Sequence, residues 1–211
     1  MRGLEFCMES VESSVKKQFA RKFVGSDWRL FKSMAEFYLR QAAFLRTSDL
    51  HAYAPPKLRL LARNSQKRLF IGVGIELLLK AIYLKRGYVI NMPAHDKTIL
   101  KVPFTFAQAD GAPLVEGKTF MLDPLIAQIG KVINLSDSKT VLKGLRIAQV
   151  FRNKEGHSVT PKHFFDPSNY RDIARALSEL YRQVFQETLT IHFALGPGEK
   201  ALFRITSASK E

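Results

Sequence analysis

The chain has a single cysteine, Cys7, so no internal disulfide can form and no cysteine-based metal site can be built. Its five histidines (His51, His95, His157, His163 and His192) fall without ligand spacing, which predicts no structural zinc. Long apolar runs are missing too. The longest, Leu69 to Leu84, carries Glu76 and Lys80 and is shorter than the roughly 18 residues of a membrane span. Arg2 is followed by Glu5, Glu9 and Glu12, with no apolar core of a signal peptide. The expectation is a cytoplasmic protein with no metal, no cofactor and no membrane contact. Acidic residues are scarce: 33 Lys and Arg stand against 19 Asp and Glu, a formal charge of +14. Such a surplus favours polyanions, with nucleic acid first and an anionic membrane or acidic protein second. The plainer reading is a basic protein with no nucleic-acid function. With 211 residues, the chain is long enough for one sizeable core, or a core with an insertion.

Helical periodicity dominates what is present. Residues 1–25 read as a helix with Val11, Val15 and Phe19 on one side. Lys16, Lys17, Arg21 and Lys22 gather near its end, where positive charge complements the helix dipole. Ser26 or Asp27 can cap a second helix over roughly 27–46, along which Trp28, Phe31, Ala35, Tyr38, Ala42 and Leu45 form an apolar stripe. Stripes of this kind are core far more often than base-stacking platforms. Asp49 to Pro56 reads as a linker. A third helix, about 57–87, carries Arg59, Arg63 and Lys67 at four-residue spacing, three positive charges on one face. Its second half is apolar nearly all round and belongs in the middle of a bundle, and Gly87 stops it. Glu76 in those surroundings must be paired or have a raised pKa. It is either an ion-pair partner for Lys80 or an acid facing a functional cleft.

From Met92 to Leu122 the helical period disappears. Val102, Phe104 and Phe106 alternate, Asp110-Gly111 signals a turn, and Val115, Phe120 and Leu122 lie beyond it. The pattern predicts an inserted β-hairpin, with Pro103 demoting its first strand to an edge. Pro124 can open a helix of about 124–134, and Ser136 or Ser138 can cap another over 139–155. Asp166 or Ser168 caps a last long helix, with Ile173, Ala176, Leu177, Leu180 and Val184 inward and Arg171, Arg175 and Arg182 outward. The run Leu189–Leu195 can be read as strand or helix; as a strand it can pair with Ala201–Ile205 in a second hairpin across Gly196-Pro197-Gly198.

The functional reading rests on Phe151-Arg152-Asn153-Lys154-Glu155-Gly156-His157. Arg152 lies in a last helical turn, and Gly156 and Pro161 end the helix near His157. In an unbroken helix, residues five apart point about 140° away from each other. Arg152 and His157 can therefore converge only if the helix ends at Gly156, or if a second chain supplies the partner. Arg46 and His51 share the spacing but run into an Ala54-Pro55-Pro56 loop.

An Arg, a polar residue directly after it, and a His a few residues on resembles the signature of HEPN-domain ribonucleases, here in the Arg-x4-His form. The apolar helix Gly72-Val73-Gly74-Ile75-Glu76-Leu77-Leu78-Leu79-Lys80-Ala81 resembles the long inner helix of that family. The likeness covers roughly 30–190 and fades over both ends and over 92–122. It implies a mainly α fold: a single domain over 1–211, with a HEPN-like antiparallel helical bundle at about 27–190 interrupted by the insertion. It also implies a metal-independent endoribonuclease, working as a homodimer with two motifs facing one shared cleft. Such domains act as toxins and phage-defence effectors held by an antitoxin or regulatory protein. Some members carry a Tyr two residues past the His, where a partner modifies it; here that position is Val159.

The residue chemistry agrees with strand scission. His157 can act as base or acid near neutrality. Arg152 matches two phosphate oxygens with a planar fork. Asn153 can hold the His or a phosphate oxygen, and Glu76 is a supporting candidate. Lys139, Lys143, Arg146, Arg152 and Lys154 run along this helix with no acid before Glu155, so Lys143, Arg146 and Lys154 are candidates for RNA binding. The competing reading is a catalytically silent helical module that binds RNA or a partner protein through its basic face.

Overall fold

The computed structural model describes Ser13 and residues 22–46, 55–93, 104–109, 114–155, 166–196 and 198–207. The described chain is mainly helical, with two small two-stranded antiparallel sheets. A 3-10 turn at Gly25–Asp27 leads into α1 (Trp28–Phe44), followed by the long α2 (Pro56–Lys85). Then come β1 (Asn91–Pro93), the one-turn α3 (Phe106–Ala109), β2 (Leu114–Thr119) and α4 (Leu122–Val132). The chain continues through α5 (Ser138–Glu155), α6 (Pro167–Leu180) with a π-helical turn at Tyr181–Phe185, and the hairpin β3 (Glu187–His192) and β4 (Leu202–Ser207).

The axis of this arrangement is α2. Its 30 residues span about 45 Å at the α-helical rise. Pro56 occupies the first helical turn, where its missing N–H costs nothing. At the other end Gly87 adopts φ 83°, the Gly87 N–H donates to the Leu84 carbonyl, and the Tyr88 N–H donates to the Tyr83 carbonyl. That pair of bonds satisfies carbonyls the helix leaves open, and it needs a left-handed residue at Gly87. Along the second half of α2, Ile71, Ile75, Leu78, Leu79, Ala81 and Ile82 are fully buried, as an all-round apolar helix should be.

The neighbours of α2 come very close. A Cβ at Gly74 would stand 2.8 Å from Leu39 Cγ on α1, and one at Gly72 would stand 2.5 Å from Arg152 Cβ on α5. Between α5 and α6 the same device recurs, since a Cβ at Gly144 would lie 2.5 Å from the Asp172 carbonyl oxygen. Each crossing is closer than side-chain-bearing helices can come. The buried residues join into one apolar cluster drawn from α1, α2, α4, α5, α6 and β3.

The helices expected at 27–46, 57–87, 124–134 and 139–155, and the one capped at Asp166, all form within a few residues of those bounds. Ile173, Ala176, Leu177, Leu180 and Val184 are buried. The second hairpin also forms, from Glu187↔Ser207 to His192↔Leu202, with Leu189 and Ile191 buried between exposed Thr190 and His192.

The inserted hairpin differs from its expected form. The second strand is present, but β2 pairs with β1, through Asn91↔Thr119 and Pro93↔Leu114, and not with the described residues 104–106. Phe106 instead begins α3. Thr105 and Gln108 explain this: the Thr105 N–H donates to Gln108 Oε1, and the Gln108 N–H donates to Thr105 Oγ1. That reciprocal capping box selects a helix start over an extended strand. The cap of α5 also differs, being Asp137, whose Oδ1 accepts from the Thr140 N–H, and neither Ser136 nor Ser138. Most of the helix expected at 1–25 lies outside the described residues; Ser13 is helical, and residues 22–24 are not.

Candidate functional site

The crossing of α5 over α2 positions Arg152. Because Gly72 presents no side chain, the Arg152 backbone and stem lie directly against α2. Its guanidinium then meets Glu76, one turn further along, with Nε 2.6 Å from Oε2. The other carboxylate oxygen accepts from Lys80 Nζ at 2.8 Å, and Lys80 also donates to Thr119 Oγ1 on β2 at 3.0 Å. Glu76 thus has the ion pair expected with Lys80 and a second one with Arg152. One carboxylate held between two cations leaves a local surplus of positive charge. The Arg152 side chain is 26% exposed and the Glu76 side chain 10%.

A second ion pair anchors the end of the same helix. Glu155, the last residue of α5, accepts from Arg68 Nε at 2.5 Å and from the Ser65 hydroxyl. Side-chain exposures of 2% for Arg68 and 1% for Glu155 make this a buried pair. The last turn of α5 is therefore tied to α2 by two links, one at Arg152 and one at Glu155. Sequence reasoning missed Glu155 and Arg68. The available signal was an acid at the end of a helix, where the dipole disfavours negative charge, so that it needs a dedicated cation. Tyr170 closes the cluster from α6, with its ring 5.4 Å from Phe151 and 6.0 Å from Phe193. Burial pushes its phenol above the ordinary range while the adjacent Arg68 pulls it back. His157 lies outside the described residues, as do His51, His95 and His163.

The remaining candidates spread along the outer face of α5. Asn153 and Lys154 are exposed. Lys143 Nζ is 2.7 Å from Asp172 Oδ2 on α6, and Arg146 Nη1 is 2.7 Å from Asp123 Oδ1 on α4. Arg146 also donates to Gln149, and the Arg146 and Gln149 contacts hold the Asp123 carboxyl below the usual carboxylate range. No acid precedes Glu155 along α5, yet neighbouring helices supply two. The basic run is therefore partly neutralised before any polyanion arrives.

The row Arg59, Arg63 and Lys67 turns inward at its last two residues. Arg63 is 7% exposed and Lys67 fully buried. Arg63 Nη2 donates to the Leu195 carbonyl and to Asn64 Oδ1, and Lys67 Nζ donates to the Ala194 carbonyl. These cations receive the end of the β3–β4 hairpin, whose carbonyls face α2.

Among the described residues, no group of three or more His, Cys, Asp or Glu is placed to hold a metal ion, and no helix is long and apolar enough to cross a membrane. Comparisons with protein families, curated proteins and solved structures find no match to this chain.

Proposed function

We propose that this protein is an endoribonuclease of the HEPN type, cutting RNA by attack of its own 2′-OH, with Arg152 and His157 as the catalytic residues. The observation that carries the reading is the clamp on Arg152. A buried carboxylate, Glu76, lies 2.6 Å from its Nε, in the last turn of α5, and the sequence runs on from there to Gly156 and His157. Pre-positioned charge of this kind is what a phosphorane transition state rewards.

In this mechanism a neutral His157 imidazole takes the 2′-OH proton as the 2′-oxygen attacks phosphorus. Arg152 Nη groups accept the growing negative charge on the non-bridging oxygens. The P–O5′ bond breaks, and the departing 5′-oxygen takes a proton from an imidazolium. One chain supplies one His157, so the acid is His157 of a second copy and the active form is a homodimer. Products end in 2′,3′-cyclic phosphate and 5′-OH, and DNA is left intact because it lacks the nucleophile. Glu76 is a positioning residue, and Asn153, exposed on the same turn, steadies the phosphate. Lys143, Arg146 and Lys154 contribute to the field that draws RNA in. In the cell the activity acts as a toxin or defence effector held in check by a partner protein.

The test is incubation of wild type, His157→Ala and Arg152→Ala with total RNA in EDTA, with single-stranded DNA alongside. The expected result is RNA cleavage by wild type alone, with cyclic-phosphate ends. RNA bound equally by all three proteins and never cut, under conditions where each is folded, would establish the silent binding module instead.

A further inference from the structure

A basic surface lies around the last turn of α2. Trp28 stacks on Phe185 there, with ring centroids 5.9 Å apart. Arg29 Cζ stands 4.7 Å from the Trp28 ring, and Lys85 Nζ stands 4.9 Å from both rings. Lys32 Nζ is 5.2 Å from Phe185. Two aromatic faces thus hold three cations on one platform. Lys32 has its carboxylates, Glu36 at 2.7 Å and Glu187 at 2.9 Å. Arg29, Lys85 and Arg86 are exposed and have no ion pair among the described residues. Partial burial and the charges of Arg86, Lys32 and Arg29 pull the Lys85 ammonium below its ordinary range, against the pull of Glu187. Like charges brought this close raise each other's energy, and an anion among them lowers it. The surface continues into a cavity of 440 Å³ lined by Arg86, Asn134, Ser136, Arg182 and Gln183. Arg182 is 62% exposed although it pairs with Glu179 at 2.6 Å, and Ser136 accepts from Arg182 and Gln183.

We propose that this surface binds a single-stranded nucleic acid through its phosphates, which lie along Arg29, Lys85, Arg86 and Arg182. The succession of cations selects the ligand. They run from the aromatic pair, through Arg86 at the cavity, to Arg182 within it. A single small anion fills only part of that row, and a flat bilayer does not enter the cavity. A flexible chain of phosphates meets all of it. Guanidinium groups match phosphate oxygens in pairs, and a lysine adds a point charge. The cavity lies just ahead of the start of α5 and Arg152 in its last turn, about 20 Å apart along the helix. The inference stands apart from the ribonuclease reading, since a strand held here is bound whether or not it is cut.

Trp28 is the only tryptophan of the chain, so its emission reports on this surface alone. The full chain is titrated with a 2′-O-methyl oligoribonucleotide about 12 nucleotides long, which has no free 2′-OH for self-cleavage, and with DNA of the same sequence. The expected result is a saturable change in Trp28 emission with both, at the concentrations that raise the anisotropy of a labelled strand. By anisotropy, Lys85→Gln/Arg86→Gln should bind at least about tenfold more weakly, with a slope of log affinity against log salt shallower by about 1.4, or about 0.7 for each phosphate contact. Lys57→Gln/Lys200→Gln removes the same charge from exposed positions near the start of α2 and should keep the slope of wild type. Circular dichroism checks that both double variants are folded. Binding by anisotropy without a change in Trp28 emission would overturn the proposal, as would an equal loss of slope in the two double variants. A Trp28 response to vesicles of phosphatidylcholine and phosphatidylserine, and to neither oligonucleotide, would overturn it in favour of an anionic membrane.

Discussion

Gly72 and Arg152 are in direct contact: a β-carbon at residue 72 would stand 2.5 Å from Arg152 Cβ and 3.0 Å from its Cα. A chain that packs a catalytic candidate against bare backbone leaves its stem no room to swing. The side chain is steered along α2 to Glu76 before any substrate is present.

Gly72→Ala tests this contact. Alanine gains about 1 kcal/mol of helix propensity over glycine. Overpacking against an atom that cannot rotate away costs about 1–3 kcal/mol, and with Arg152 Cβ and Cα in the path the upper part of that range applies. The expected net effect is a fall in Tm of a few degrees, read by calorimetry. A rise in Tm would show that α5 has room to retreat.

Glu76→Gln removes the negative charge that Lys80 and Arg152 share. Breaking a buried pair from one side costs about 3–5 kcal/mol, and the partial exposure of Arg152 places the loss near the lower figure. Arg152→Lys keeps the charge but forfeits the Nε contact and the fork. RNA cleavage should fall by at least about tenfold while chemical stability changes little. Equal activity in Arg152→Lys would mean that a point charge suffices.

Arg68 and Glu155 form the best-buried ion pair described, and a double-mutant cycle measures it. Arg68→Met alone strands a carboxylate and Glu155→Leu alone strands a guanidinium, each costing about 3–5 kcal/mol. The double replacement should lose much less than the sum, read from urea unfolding midpoints. Additive losses would show that the two side chains act separately.

Lys67 gives a pH signature. Its folded pKa of about 8 lies below the unfolded value near 10.5. Between these values the unfolded chain binds the extra proton, so stability rises with pH there and the cost of burying the ammonium is full below pH 8. Lys67→Met removes that proton. The stability of Lys67→Met relative to wild type should therefore be greatest near neutrality and shrink as pH climbs from 8 toward 10. A difference that stays constant over this range would mean that Lys67 remains charged throughout.

The apolar periods of α1, α2, α5 and α6 were legible because a buried helical face must repeat every three or four residues. The second hairpin was legible through its alternation. Distance in sequence hid the rest. Asp123 and Asp172 meet Arg146 and Lys143 only once α4 and α6 pack beside α5, so a helix that looked uniformly basic carries its counter-charges on other elements. Nothing local to Arg63 and Lys67 shows that the turn after β3 will deliver carbonyls to them. The Thr105–Gln108 box was readable in the sequence, but the alternation of Val102, Phe104 and Phe106 outweighed it.

Those two buried cations also decide where the chain can be shortened. Removing everything after Gln186 would take away the carbonyls of Ala194 and Leu195 and expose the apolar seat of Leu189 and Ile191. The remaining bundle would hold an ammonium and a guanidinium with their hairpin acceptors gone, in an interior that water reaches poorly. The hairpin is thus a plug that makes the helices tolerable to themselves, and its loss should produce insoluble protein where a mere appendage would leave a compact one.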